Sequence, residues 1–348
     1  MDYLKILRRA LEITWRYRAL WIFGIILALT AGGGGWNGGG GGSTGDRNVE
    51  ITPPHIPQEL WLALVTVAIA VVCMFILLAI VATIARYIAL AALIRMVNDY
   101  EATGQKYNVL QGLRLGWSRA TLRMFLVALL IGVPLAVVSI TMLLISLSPL
   151  LVWVITSETV LLMIGTVAAI GLFFVFLVLI IAVSAVVRLL LQFFWRVCAL
   201  EGLGVLDAIR SGCALVWRHL KDVAIMWVIM VGIKLGLTIA LIPVTIILVV
   251  VGALLGALPG LIVWVITRML FTEAVPWVLA GLVALPVLVL VVAIPSVFIG
   301  GLMEVFSSSV WTLTYRELRA LDEGAGEAGG SEEGGGEAAD SAPQELPA

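Results

Sequence analysis

The sequence predicts an all-α integral membrane protein with about six transmembrane helices, arranged as three repeated hairpins that each follow a basic amphipathic helix. Composition is the first observation, because 62% of the 348 residues are hydrophobic and 12% are charged. Soluble domains have roughly 45–50% hydrophobic residues and about 25% charged residues. The apolar residues also form runs long enough to cross a bilayer, which takes about 20 residues. Finally, three basic stretches are similar to one another, and each leads into such a run.

The three similar stretches are residues 3–21, 109–127 and 205–223. An alignment on one arginine of each stretch brings apolar and aromatic residues into register. The residues that coincide are Arg8, Arg114 and Arg210; Leu4, Leu110 and Leu206; and Trp15 and Arg16 with Trp217 and Arg218. An internal repeat of this kind predicts that one helical unit is used three times.

The first element is a basic stretch, residues 1–18, followed by an apolar one, residues 19–31. A cleaved signal peptide is one interpretation of this pattern. The two internal copies cannot be cleaved signals, so their similarity favours a retained first span at residues 15–33. Residues 32–45 then hold ten glycines, which predicts a flexible outer loop over residues 32–60.

Long apolar runs, charge-free apart from Lys234, predict the remaining spans at residues 61–85, 124–147, 160–187, 223–250 and 277–303. They are too long for the short alternating strands of an outer-membrane barrel. With these spans, 18 of the 21 lysines and arginines fall on one side of the membrane. Lysine and arginine are enriched in cytoplasmic loops, so we expect a multi-pass protein of the cytoplasmic membrane with both termini in the cytoplasm.

The third hairpin has extra residues at 251–276, an apolar segment that contains Gly252, Gly256, Pro259 and Gly260. We interpret this segment as re-entrant or as an excursion in the outer leaflet. A seventh span is the alternative, and it would place both Arg316 and Arg319 outside. The membrane domain is thus expected to cover residues 1–321. Residues 322–348 hold eight acids and no base, which predicts a disordered tail.

The basic stretches have helical spacing, with an apolar stripe in the third that steps by three and four residues. Such helices lie in the membrane interface with their basic side chains toward anionic lipid headgroups. Ordinary connecting helices that pack on the spans are an alternative, and the two interpretations are compatible. The stripe comprises Leu206, Ile209, Cys213, Val216 and Leu220. The predicted interfacial residues are Arg8, Trp15, Arg16, Arg114, Arg210, Trp217 and Arg218.

Lys234 is predicted to lie inside the membrane. It follows Asp222 by twelve residues, which is about 18 Å along a helix. Ionisable groups at that depth are costly and usually face a partner or a cavity. Lys234 could therefore contact a substrate or ion, with Glu304 or Glu158 as counter-charge. A lysine that extends to the interface, or pairs structurally with a carbonyl, is the alternative.

The sequence indicates no enzymatic chemistry. It contains two histidines, no HExxH motif, no Cys/His metal spacing and no Asp-rich diphosphate-binding run, so we expect neither catalysis nor a cofactor. The basic residues are spread along membrane-flanking helices rather than gathered in one patch, which argues against nucleic-acid binding. Membrane lipids and other membrane proteins are the expected partners.

The basic lead-in, Trp-Arg pair and apolar span resemble the bacterial family named for the membrane domain of glycerophosphoryl diester phosphodiesterase. The similar residues are 4–21, 205–210 with Trp217 and Arg218, and 309–315. The resemblance is one of pattern over residues 1–321. It implies no catalytic residue here, because in that family the activity belongs to a separate soluble barrel for which these residues leave no room.

We therefore expect a non-enzymatic membrane protein that acts in envelope or lipid organisation, or as the membrane partner of other proteins. The alternative is a small-molecule or ion transporter that uses Lys234 and the interrupted segment 251–276.

Overall fold

The computed structural model describes the backbone of residues 1–30, 58–155, 158–270 and 275–333, and the side chains of most of them. Every regular element in these ranges is a helix, as the sequence predicts. The helices are α1 (Tyr3–Arg16), α2 (Ala19–Thr30), α3 (Gln58–Thr103), α4 (Val109–Gly116), α5 (Arg119–Leu147), α6 (Val152–Ile155), α7 (Thr159–Arg196), α8 (Val205–Arg218), α9 (Leu220–Arg268) and α10 (Val275–Glu333). The predicted glycine-rich loop, residues 32–60, lies almost wholly outside the described residues.

Five helical segments of the described chain are long and apolar enough to cross a membrane: Val65–Thr103, Arg119–Leu151, Thr159–Glu201, Leu220–Arg268 and Val275–Glu323. Each contains all or nearly all of one predicted span. The helices are longer than those spans: most continue into flanking segments that contain charged residues, and α9 continues through the apolar residues 251–267. The chain is thus a multi-pass helical membrane protein.

The predicted first span, residues 15–33, differs from the structure because α1 and α2 meet at an angle of 99°. The corner is held by hydrogen bonds. The Trp21 indole Nε1 donates to the Thr14 carbonyl at 2.7 Å, and the Tyr17 hydroxyl donates to the Tyr107 carbonyl at 2.9 Å. The apolar helix therefore begins at Ala19, and α1 lies across its end. A sixth span exists only if this bent pair counts as one.

The packed core lies at one end of the long helices, which we call the basic end because Arg95, Arg123, Arg196, Arg316 and Arg319 lie in or beside it. Much of this core comes from residues 89–97 of α3, residues 193–199, and residues 305–318 of α10. Residues 193–199 cross from α7 into its extension, the π-helical turn Val197–Glu201. Residues 305–315 are buried on every side of α10, so α10 is the central helix there. Further along, the long helices expose most of their large apolar side chains, as lipid-facing helices do.

Three pairs of long helices that follow one another along the chain pack together: α2 with α3, α5 with α7, and α9 with α10. Helix α2 also packs on α10, more extensively than on α3. The short amphipathic helices pack differently. Helix α4 packs on α3, α8 packs on α7, and α1 packs on α10. Helices α4 and α8 thus each pack on the second long helix of the pair that precedes them in the chain. Helix α1 has no preceding pair and packs on α10, the second helix of the last pair.

The sequence predicts that residues 251–276 are re-entrant or an outer-leaflet excursion, with a seventh span as the alternative. In the structure α9 continues without a break to Arg268, so residues 251–268 form neither a turn nor a separate helix. Gly252, Gly256 and Gly260 are buried and face α10. A Cβ atom added to Gly256 would lie 2.7 Å from the Ala284 carbonyl oxygen. The glycines therefore permit close helix packing rather than a turn. Residues 271–274 lie outside the described part of the chain.

Helix α10 continues past the predicted tail boundary at Asp322 to Glu333, so the first residues of the predicted tail are helical. The Asp322 carboxylate accepts a hydrogen bond from Arg218 Nη1 at 3.3 Å and lies 3.2 Å from His219 Nε2. These contacts fix this part of α10 to the junction of α8 and α9. Residues 334–348 of the predicted tail are outside the described range.

Candidate functional site

One set of arginines at the basic end ties helices together. The Arg95 guanidinium donates to the Ala199 carbonyl at 3.0 Å and to the Leu115 carbonyl at 3.0 Å. Arg196 is only 1% exposed, and its Nη2 donates to the Ser308 carbonyl at 3.0 Å. Burying a charged group is costly unless its hydrogen bonds are satisfied. The Gln192 carbonyl and side-chain oxygen of α7 and the Ser308 carbonyl of α10 accept from Arg196, whereas its Nε has no partner among the described residues.

Further polar contacts join the ends of α1, α3, α9 and α10. Arg9 Nε donates to the Glu101 carboxylate at 3.0 Å, and the Tyr3 hydroxyl donates to Asp222 Oδ1 at 2.6 Å. Arg319 Nε donates to Glu201 Oε1 at 2.8 Å. From sequence these arginines indicate only the orientation of the chain, and no motif marks them as links between helices.

A second set of arginines faces outward. Arg8, Arg114 and Arg210, the residues on which the three stretches align, are exposed. None of them makes a hydrogen bond or ion pair with a residue that the structure describes. The leucine four residues before each is also exposed: Leu4 by 74%, Leu110 by 80% and Leu206 by 67%. Residues four apart share a helix face, so α1, α4 and α8 each present a leucine and an arginine together.

The opposite face of each amphipathic helix is buried and carries mostly small residues. Two further sets of aligned positions lie there: Ile6, Gly112 and Ala208, and Ala10, Gly116 and Gly212. A Cβ atom added to Gly212 would lie 2.6 Å from Phe194 Cδ1 of α7. Small residues let these helices approach the long helices closely and so fix the outward direction of the leucine and arginine pairs.

The predicted apolar stripe of α8 is divided between the two faces. Leu206 and Leu220 are exposed, whereas Val216 is buried. The amphipathic helices thus pack on the long helices and still present apolar side chains outward. Trp15 and Trp217 are exposed as well. The two other predicted interfacial arginines have acidic partners: Arg16 Nη1 lies 3.1 Å from Glu12 Oε1, and Arg218 pairs with Asp322.

Lys234 and Glu304, predicted as an intramembrane pair, line one cavity of about 490 Å³ between α9 and α10. Thr238, Thr245 and Ser296 also line it, and α2 contributes Ala28. Within the described chain no ion pair joins the lysine to the glutamate. Glu158, the other predicted counter-charge, is instead the N-cap residue of α7 and does not line this cavity.

In the described ranges no group of three or more histidine, cysteine, aspartate or glutamate side chains could hold a metal ion.

A family model matches residues 8–314, and its description is a family of unknown function, DUF7544. The chain belongs to this family. The matched region includes most of α1, all of α2 to α9 and the buried part of α10. No curated protein and no solved structure matches the chain. Since the family supplies no activity, a functional hypothesis depends on the geometry of the basic end. The resemblance to the phosphodiesterase membrane-domain family stays a prediction.

Proposed function

We propose that this DUF7544 member is a non-enzymatic protein of the cytoplasmic membrane that gathers anionic lipids around its basic end. In this arrangement the basic end and both termini lie on the cytoplasmic side, where anionic lipids give the membrane its negative surface potential. The main support for this proposal is that α1, α4 and α8 each expose a leucine and an arginine at aligned positions. Lipid organisation, or presentation of a lipid-rich surface to partner proteins, follows from this property.

The physical basis is the position of each pair on its helix. An exposed leucine at the membrane surface enters the acyl region, while the arginine four residues later keeps its charged group among the headgroups. Each such cation contributes about 1 kcal/mol to the attraction of anionic lipid. Helices α1, α4 and α8 each pack on the second helix of one of the three pairs. This arrangement supports three repeated hairpins, each with one amphipathic helix that faces the lipid.

Lipid selectivity in nanodiscs tests this proposal. Spin-labelled phosphatidylglycerol and phosphatidylcholine report which lipid the protein holds at its surface. We expect the triple variant Arg8→Gln, Arg114→Gln and Arg210→Gln to lose most of the preference for phosphatidylglycerol, about fivefold per site at about 1 kcal/mol each. Arg268→Gln is the control, because Arg268 is exposed but stacks on Trp264, with its guanidinium carbon 4.7 Å from the ring centre. Equal selectivity of the triple variant and the wild type would contradict the proposal.

The cavity that contains Lys234 and Glu304 favours a second candidate function, transport of a small molecule or ion. Lys234→Met in proteoliposomes tests it, with proton and chloride flux as the measured quantities and Lys221→Met, on the same helix at the basic end, as the control. Lost flux with unchanged thermal unfolding would support transport. Loss of folded protein alone, or no flux in the wild type, would leave Lys234 a structural residue.

A further inference from the structure

A second cavity, separate from the Lys234 cavity and the outward arginines, lies in the fork between α3 and the segment formed by α4 and α5. Its volume is about 740 Å³. Ile76, Ile80 and Ile88 line it on the α3 side, and Leu122 and Phe125 face them from α5. The rings of Tyr87 and Phe125 meet edge to face with centres 5.5 Å apart. We call this cavity the α3–α5 groove.

Three of the four hydroxyl-bearing side chains that line the α3–α5 groove already form hydrogen bonds, and Tyr87 is the fourth. Thr83 donates to the Ala79 carbonyl at 2.7 Å, and Thr121 donates to the Gly116 carbonyl. Ser118 Oγ accepts from Arg95 Nη1 at 3.1 Å. A polar ligand would therefore lose its hydrogen bonds with water and gain few in return. The interior suits a hydrocarbon chain.

The basic end of the groove carries free positive charge. Arg119 directly follows two lining residues, Trp117 and Ser118, and is exposed; Arg86 directly precedes Tyr87 and is half-buried. Neither arginine has a hydrogen bond or ion pair with the described residues, and no acidic residue lines the groove. The charge pattern thus complements a ligand with an anionic head and an apolar tail.

The length of the groove matches one membrane leaflet. Ile76 and Ile88 are twelve residues apart on α3, which corresponds to about 18 Å. Half of the hydrocarbon core of a bilayer is about 15 Å. We propose that the α3–α5 groove binds one acyl chain of an anionic phospholipid from the leaflet at the basic end, with its phosphate at Arg86 and Arg119. This inference takes the membrane orientation from the proposed function and adds a fixed site for one lipid molecule.

Native mass spectrometry tests the site, using protein released from nanodiscs of phosphatidylglycerol and phosphatidylethanolamine. We expect the wild type to retain one phosphatidylglycerol. Ile80→Trp, which fills the groove, should lose it. Leu78→Trp is the matched control because Leu78 is similarly exposed but lies on the opposite face of α3. The double variant Arg86→Gln and Arg119→Gln should retain a lipid without preferring phosphatidylglycerol.

A second variant keeps the test decisive if Ile80→Trp does not fold. Leu122→Trp fills the groove from α5 and should also lose the lipid. Retention of the lipid by a folded groove-filling variant, or its absence from the wild type, would overturn the inference. The proposed function fails separately, since it depends on Arg8, Arg114 and Arg210. If the triple variant loses its preference for phosphatidylglycerol but Ile80→Trp still retains one lipid, the proposed function stands and only the groove inference is refuted.

Discussion

Replacement of Gly256 by alanine tests the close packing of α9 on α10. A Cβ atom at this position would lie 2.7 Å from the Ala284 carbonyl oxygen and 3.4 Å from its carbonyl carbon. Both atoms belong to the backbone, so no side-chain rotation can make room. The helices must separate by somewhat less than 1 Å at this point, and the contacts of the flanking Gly252 and Gly260 weaken with them.

The expected free-energy change is the difference between two effects. Adding a methyl group to a tightly packed position costs about 1–3 kcal/mol. Alanine in place of glycine inside a helix stabilises the folded state by about 0.5–1 kcal/mol. Gly256→Ala should therefore destabilise the folded protein by about 1–2 kcal/mol. Gly236→Ala is the matched control on the same helix, because nothing lies within 4 Å of its added Cβ; it should be neutral or stabilising.

Equilibrium unfolding in mixed detergent micelles with increasing dodecyl sulfate measures both variants. Tryptophan fluorescence gives the folded fraction, and Trp264 and Trp277, with ring centres 5.3 Å apart near the connection of α9 and α10, report the local packing. If Gly256→Ala proved as stable as Gly236→Ala, the reasoning would fail, and a looser or re-entrant path for residues 251–268 would return as the better interpretation.

Two further predictions concern α2 and α8. Gly24→Ala should cost about 1–3 kcal/mol, because its Cβ would press on the backbone of Gly301; Gly132→Ala, which meets nothing within 4 Å, should show no loss in the same titration. Partial burial raises the pKa of the Cys213 thiol, so its labelling by a membrane-impermeant maleimide should be slow at pH 7 and accelerate as pH rises and thiolate forms. That label should reach Cys213 from the cytoplasmic face, and labelling from the outer face would contradict the proposed orientation. Buried Cys198 should stay unlabelled until the protein unfolds.

The long helices could be predicted from sequence because the bilayer imposes a length on any apolar run that crosses it. The predicted span at residues 160–187, for example, lies inside α7. The ends could not be placed in the same way. The charge-free run ends at Arg188, but α7 continues to Arg196, and Phe193 and Phe194 in this part of the helix are buried in the core at the basic end.

Glycine spacing shows why the packing of α9 could not be predicted from local sequence. Gly252, Gly256 and Gly260 recur every fourth residue, which indicates close helix packing, but together with Pro259 they also fit an interrupted helix. The same spacing at Gly232 and Gly236 meets no neighbour within 4 Å in the described structure. Small residues permit a second helix to pack closely. Whether a second helix lies there depends on the arrangement of the other helices, which the local sequence does not determine.

The roles of the arginines follow from where helix ends lie. The last carbonyls of a helix lack intrahelical partners and carry partial negative charge. Arg95 binds the Leu115 carbonyl at the end of α4 and the Ala199 carbonyl in the extension of α7. Arg123 likewise donates to the Leu203 carbonyl at 3.3 Å. In these cases the protein supplies the negative partner itself, and both arginines are partly buried beside the core.

Arg8, Arg114 and Arg210 have no such partner within the described structure, and small buried residues on the opposite side of each helix hold them outward. An exposed arginine in water needs no counter-charge, but Leu4, Leu110 and Leu206 on the same faces would then expose apolar surface at a cost of about 25 cal/mol for each Å². A surface that accepts a leucine and an arginine four residues apart is one where hydrocarbon and anionic headgroups meet. The repeated pairing of these two residue types therefore favours lipid over water as the surroundings of α1, α4 and α8.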